Sequence, residues 1–139
     1  MLNLLLAIIM SVSLAACGDS GTVIQYKVSE VEINDGMFYG RSPDEFGLEY
    51  NVDKNTIVFS HNDKKYKGTL TEDTSRDVYE IEWKTVPKLM DGFVVNTSEN
   101  SVLLCSEEMD RASVIVLADM YDGDEVRATT VIRFRFEIK

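Results

Sequence analysis

The stretch Val126-Arg-Ala-Thr-Thr-Val-Ile-Arg-Phe-Arg-Phe-Glu-Ile-Lys139 has the clearest two-residue period in the chain. One parity is mostly apolar and comprises Val126, Ala128, Thr130, Ile132, Phe134, Phe136 and Ile138. The other comprises Arg127, Thr129, Val131, Arg133, Arg135, Glu137 and Lys139. Because successive side chains of an extended strand point to opposite faces, this pattern predicts one long β-strand with a buried face and a solvent-exposed face.

The same period recurs throughout the residues that precede this strand. From Thr22 onward, Ile24, Tyr26 and Val28 alternate with polar residues, and a phase shift near Glu30 predicts a bulge or bend. Turn-forming residues divide the following runs into further short strands. The turn Asp122-Gly123-Asp124 joins the last two strands, and its length predicts that Asp119 lies opposite Arg127.

About eight to ten short strands, joined mainly by tight turns, predict an all-β domain over residues 22–139. We expect an antiparallel meander that closes into a small up-and-down barrel or folds into a two-layer sandwich, because both arrangements remove unpaired strand edges. Residues 106–112 are the exception. Ser106 is a suitable helix N-cap and acidic residues follow it, so this segment predicts one or two turns of helix.

The first seventeen residues have a different character. Leu4 through Met10 is continuously apolar, shorter than the roughly 20 residues that a membrane-spanning helix needs, and it leads to Leu14-Ala15-Ala16-Cys17. This run of small residues before a cysteine resembles the lipobox of bacterial lipoproteins. The resemblance implies cleavage between Ala16 and Cys17, removal of residues 1–16, and attachment of diacylglycerol to the Cys17 sulfur, with acylation (typically palmitate) of the new amino group.

The resemblance also implies a location. Two or three acyl chains hold a protein stably on a bilayer, and residues 18–21 form a tether that reaches on the order of 15 Å. In the lipoprotein family an aspartate directly after the cysteine favours the inner membrane, whereas here Gly18 follows Cys17. We therefore expect a lipid-anchored protein of the bacterial cell envelope, on the outer membrane facing the periplasm rather than on the inner membrane.

Charge and cysteine content narrow the function classes. The chain has 14 basic and 24 acidic residues and a formal net charge of −10, which disfavours binding to nucleic acid and adhesion to anionic lipid. Once Cys17 is lipidated, Cys105 has no cysteine to pair with. Packing, and not a disulfide, must then stabilise the domain.

No residue pattern indicates catalysis, a cofactor or a metal. His61 is the single histidine, so any Ser-His or Cys-His nucleophile must use it, and we expect a turn histidine without a catalytic role. Cys105 follows three apolar residues and predicts a small buried side chain. Asp119, Asp122, Asp124 and Glu125 carry oxygens that suit calcium, but their spacing matches no loop of known ligand order and predicts a solvated hairpin tip.

Two surfaces are candidates for recognition. Arg127, Arg133 and Arg135 share the exposed face of the last strand, where they either receive an anionic partner or pair with acids of neighbouring strands. Arg41 and Asp44 lie in a loop flanked by aromatic residues, which is typical of recognition loops.

The sequence therefore predicts a non-enzymatic interaction domain, of binding or inhibitor type, whose partner is an envelope protein. The alternative is a lipocalin-like carrier of a small apolar ligand, with a cavity lined by Tyr26, Tyr50, Tyr66, Tyr79 and Trp83. The layout is similar to small envelope lipoproteins with barrel domains, including lipocalin-like binders and periplasmic lysozyme inhibitors, in fold alone. A filled interior favours the interaction domain, and a large dry cavity favours the carrier.

Overall fold

The computed structural model describes residues 22–33, 37–38, 45–89 and 92–139. The predicted signal peptide, its cleavage site at Ala16, the lipidation site at Cys17, the tether and the loop residues Arg41 and Asp44 lie outside these residues. The described part of the chain consists mainly of β-strands and turns and contains no α-helix.

Within these described residues, ten strands follow one another. They are β1 (Val23–Ile33), β2 (Met37–Phe38), β3 (Phe46–Asn51), β4 (Thr56–His61), β5 (Lys64–Asp73), β6 (Val78–Trp83), β7 (Phe93–Val95), β8 (Ser101–Cys105), β9 (Arg111–Asp122) and β10 (Glu125–Ile138). The predicted all-β antiparallel meander is confirmed.

The sheet closes on itself as a barrel. Eight strands follow one another around it, in the order β1, β3, β4, β5, β6, β8, β9 and β10. β10 pairs with β9 on one edge and with β1 on the other, which completes the ring. Of the two architectures expected from the sequence, the chain adopts the up-and-down barrel. The short strands β2 and β7 add to β1 and β9, respectively.

The alternating strand directions give the barrel two distinct ends. Val23 at the start of β1 pairs with Asn51 at the end of β3, and Tyr26 pairs with Ile138 near the end of β10. We call this the amino-terminal end; the turns at 52–55, 74–77 and 106–110 also lie there. The turns at 62–63 and 123–124 lie at the other end, which we call the hairpin end.

At the hairpin end, β9 and β10 extend beyond β1. The last pair of β1 with β10 is Ile33 with Ile132, whereas β10 stays paired with β9 back to Glu125. We call residues 119–131 the projecting hairpin. Within it Asp119 faces Thr129 and not Arg127, so the predicted register of β9 against β10 is wrong. The turn consists of Gly123 and Asp124 alone, because Asp122 pairs with Glu125, and this moves the register by one residue. An irregularity in β10 between Val126 and Ala128, which leaves Arg127 as an extra residue, moves it by one more.

The middle of the barrel is occupied by aromatic side chains. Phe134 is completely buried, and its ring centroid lies 4.9 Å from that of Phe46 and 5.0 Å from that of Phe59. Phe59 also contacts Trp83 at 6.0 Å. Tilted and edge-on contacts at these separations are the preferred arrangements of aromatic rings.

Two local predictions have opposite outcomes. The bulge expected near Glu30 is confirmed, since the register of β1 against β10 shifts between Val28 and Glu30. The helix expected at 106–112 is wrong, because these residues form a hairpin turn and the first residues of β9. Ser106 Oγ accepts the backbone N–H of Arg111 at 3.0 Å and donates to Asp110 Oδ1 at 2.7 Å.

The turn is preferred over a helix for a packing reason. Cys105 pairs with Ala112 across the two strands, and Ala112 is buried in the barrel. Met109 takes a left-handed backbone conformation, with φ of 63°, which closes the turn and is incompatible with a right-handed helix.

Candidate functional site

The arginines predicted as a basic surface are spread along β10, and two of the three are in ion pairs. Arg135 lies 3.6 Å from Glu30 and 3.3 Å from Glu32, both on β1. Arg127 lies 2.9 Å from Asp122 across the projecting hairpin. Arg133 has no ion pair within the described part of the chain. The cross-strand pairing expected as one of two possibilities is therefore confirmed for Arg127 and Arg135.

The projecting hairpin carries exposed apolar side chains. Tyr121 is 41 % exposed, Val126 is 50 % exposed and Val131 is 48 % exposed, and Tyr121 and Val126 are directly paired across the two strands. Among the described residues, only two other large apolar side chains are comparably exposed, Val86 at 38 % and Leu104 at 36 %. Exposed apolar side chains that cluster on one element are typical of protein interaction surfaces, whereas on an ordinary solvent-exposed surface they are scattered singly.

A buried polar network holds the base of this hairpin. Asp119 is only 8 % exposed. Its carboxylate accepts hydrogen bonds from Thr129 Oγ1 at 2.6 Å and from Asn96 Nδ2 at 2.9 Å. Asn96 Oδ1 in turn accepts the backbone N–H of Ser98 at 2.7 Å. β7 covers this region, since Val94 pairs with Asp119. Asp119 therefore fixes the hairpin against the barrel and does not belong to an acidic tip.

The remaining acids of the predicted tip are Asp122, Asp124 and Glu125, and all three are exposed. Asp122 is held by Arg127. Within the described ranges, no three or more His, Cys, Asp or Glu side chains are grouped so that they could hold a metal ion.

His61 is more enclosed than a solvated turn histidine. Its Nε2 lies 2.7 Å from Glu45 Oε2, and the two side chains are 11 % and 12 % exposed. The imidazole also stacks on the Phe46 ring, with centroids 4.7 Å apart and planes 11° from parallel. These contacts fix the end of β4 against the start of β3.

Cys105 lies far from His61, because it precedes a turn at the amino-terminal end while His61 precedes a turn at the hairpin end. Burial raises the pKa of the Cys105 thiol to about 12, so the thiol stays protonated at neutral pH. The nearby Tyr26 hydroxyl donates to the Met109 carbonyl at 2.8 Å. Burial also raises the pKa of Tyr26 and Tyr50 above the usual tyrosine value. These groups close the amino-terminal end and do not titrate near neutral pH.

The sequence did not indicate a groove of about 410 Å³ on the outer face of β3, β4 and β5. Three lysines line it, and we call it the lysine groove. Its lining residues are Val23, Glu49, Asn51, Lys54, Thr56, Ile57, Val58, Lys67, Gly68, Thr69 and Lys84. The three lysines come from a turn, from β5 and from the residue after β6, so no single stretch of sequence points to their proximity.

None of the described segments is a helix long and apolar enough to cross a bilayer. Comparisons with protein-family models, with curated proteins and with solved structures find no match to this chain.

Proposed function

We propose that this chain is a lipid-anchored protein of the bacterial cell envelope whose barrel binds a partner protein through the projecting hairpin. The observation that carries the proposal is the combination of an aromatic-filled interior with exposed apolar side chains on one projecting element. A barrel of this kind offers its outer surface for recognition rather than its inside.

The two ends of the barrel give the proposal an orientation. The backbone N–H of Thr22 donates to Asp53 Oδ2 at 2.9 Å, and the Val52 N–H donates to the Thr22 carbonyl at 2.9 Å. These bonds place the start of the domain at the amino-terminal end. With a lipid on Cys17, this end lies toward the bilayer and the projecting hairpin points away from it, where a partner has free access.

The carrier alternative receives less support than the interaction role. The small barrel is an architecture that ligand carriers use, but a carrier needs a cavity of several hundred Å³. Here Phe46, Phe59 and Phe134 occupy the middle of the barrel. A non-enzymatic role is supported by the separation of His61 from Cys105 and by the raised pKa of the Cys105 thiol.

Mass spectrometry of the protein isolated from its own membrane tests the anchor. We expect a chain that begins at Cys17 and carries the mass of a diacylglycerol, with or without an additional acyl group on the amino group. A chain that retains Met1 and has an unmodified thiol at Cys17 contradicts the envelope assignment.

Site-specific photo-crosslinking in intact cells tests the hairpin. A photoreactive amino acid at Tyr121 should give a discrete adduct with one protein. The same group at Leu104, which is 36 % exposed on the barrel wall, serves as the matched control. We further expect Val126→Ser to abolish the Tyr121 adduct. Equal adducts from Tyr121 and Leu104, or an adduct that survives Val126→Ser, argue against the hairpin as the docking site.

A further inference from the structure

We infer that the lysine groove is a binding site for the phosphate group of a small organic ligand. The inference does not depend on the lipid anchor or on the projecting hairpin, because the groove lies on the outer face of β3, β4 and β5. It rests on the charges, the hydrogen-bond donors and the apolar floor of the groove.

Two lysines of the groove face each other across neighbouring strands. Gly68 pairs with Trp83, and the Lys84 N–H donates to the Lys67 carbonyl at 2.9 Å, which continues the same ladder by one residue. The side chains of Lys67 and Lys84 therefore project next to each other from the outer face of the barrel. Like charges directly opposite each other destabilise a ladder, and an anion between the two ammonium groups removes this repulsion.

No carboxylate of the described chain lies within ion-pair distance of either lysine, although Glu82, opposite Thr69, shares their outer face. Lys67 and Lys84 form no ion pair there, although Arg76, Arg111, Arg127 and Arg135 each lie within 4.0 Å of a carboxylate oxygen. Glu49 also lines the groove, but β4 separates it from Lys67, because Glu49 pairs with Val58 and Val58 with Lys67. Two strand spacings place their backbones roughly 9 to 10 Å apart.

The rest of the lining suits a phosphate ester. Asn51, Thr56 and Thr69 form one cross-strand row of side chains that can donate hydrogen bonds. Lysine binds phosphate as a concentrated positive charge. Val58 contributes apolar surface for the organic part of the ligand, and the volume of about 410 Å³ lies within the range of small-molecule sites.

Two sources share this chemistry: a soluble phosphate ester and the headgroup of a phospholipid. The groove extends to Val23 and Lys54 at the amino-terminal end of the barrel. If the proposed anchor is correct, this end faces the bilayer and a headgroup can enter. A soluble phosphate ester reaches the groove in either case.

Nuclear magnetic resonance of the full chain in neutral detergent micelles tests the site. Glycerol 3-phosphate is the soluble probe, and micelles doped with phosphatidylglycerol, compared with phosphatidylcholine, are the lipid probe. Saturable shifts of the Lys67, Gly68 and Lys84 amides are expected with at least one probe. Because a hydrogen bond to a charged group contributes roughly 1.5 to 3 kcal/mol, Lys67→Gln and Lys84→Gln should each weaken binding about tenfold or more.

Lys65→Gln is the matched control, since Lys65 is exposed on the same face of β5 but does not line the groove. It should change the affinity less than twofold. An equal loss from Lys65→Gln, or the absence of a saturable shift with both probes, overturns the inference. Without ligand, Lys67→Gln should raise the melting temperature by about 1 to 4 °C through relief of the repulsion, and a lower melting temperature also counts against it.

Discussion

Replacing Phe134 with alanine probes whether the barrel is as tightly filled as its ring contacts indicate. Phe134 is completely buried and contacts Phe46 and Phe59 at centroid distances of 4.9 and 5.0 Å. Removal of a buried phenylalanine ring costs about 3 to 5 kcal/mol, and loss of two aromatic contacts favours the upper part of that range. We expect the free energy of unfolding to fall by about 4 kcal/mol, a large fraction of the roughly 5 to 15 kcal/mol typical of a domain.

Urea denaturation followed by circular dichroism at 25 °C measures this loss. With a denaturant slope of about 2 kcal/mol per molar urea, the midpoint should fall by about 2 M. Val131→Ala is the control on the same strand, because Val131 is 48 % exposed, and it should change the free energy of unfolding by less than about 0.5 kcal/mol.

A small loss of stability contradicts the filled interior. If Phe134→Ala lowers the free energy of unfolding by less than about 1.5 kcal/mol, the ring has empty space around it, and this favours the ligand-carrier alternative. Added benzene provides a second check. It should stabilise Phe134→Ala by entering the new cavity and leave the original protein unchanged.

Three further predictions concern the wall, the hairpin base and the thiol. Gly68→Ala should destabilise the barrel by about 1 to 3 kcal/mol in thermal melts, because the added Cβ lies 2.6 Å from Ile81 Cγ2 and 3.3 Å from Ile57 Cγ1. Thr69 faces outward, so Thr69→Ala should leave the stability nearly unchanged. An equal loss of stability from both substitutions contradicts the steric cause. Asp119→Ala should lower the free energy of unfolding by about 1 to 3 kcal/mol and accelerate hydrogen exchange of the β7 amides. Unchanged exchange rates argue against a role of Asp119 in fixing β7. For Cys105, a pKa of about 12 in place of the ordinary 9.0 gives roughly a thousandfold less thiolate at pH 8. Iodoacetamide should therefore react much more slowly with the folded chain than with the urea-unfolded chain, and similar rates contradict the burial.

The strands could be predicted because alternation reports directly which side chains face the core. Thr130, Ile132, Phe134 and Phe136 are all buried as expected. The same alternation was misleading at Val126. The extra residue Arg127 places Val126 opposite Tyr121, on the face of Thr129 and Val131, and β1 ends before this part of the hairpin. Periodicity indicates a face only while the strand is regular, and an irregularity moves the residues beyond it to the other face.

Features that depend on distant residues could not be predicted. Closure as a barrel requires β1 to pair with β10, and no local pattern encodes a contact between residues about a hundred positions apart. The same closure brings Glu30 and Glu32 beside Arg135 and thereby neutralises part of the expected basic surface. The lysine groove arises in the same way, since Lys54, Lys67 and Lys84 meet only when three elements assemble. At 106–112 the predicted helix is wrong, because the Ser106 hydroxyl accepts the backbone N–H of Arg111 across a hairpin turn and caps no helix.

The pairing of β10 with both β9 and β1 has a consequence for biosynthesis. Until residues 125–138 leave the ribosome, both of those strands present backbone edges that have no neighbour, so stable closure has to wait for nearly the whole chain. At roughly 5 to 20 residues per second, that delay lasts several seconds or longer. If the proposed envelope location is correct, this late closure keeps the chain unfolded during export.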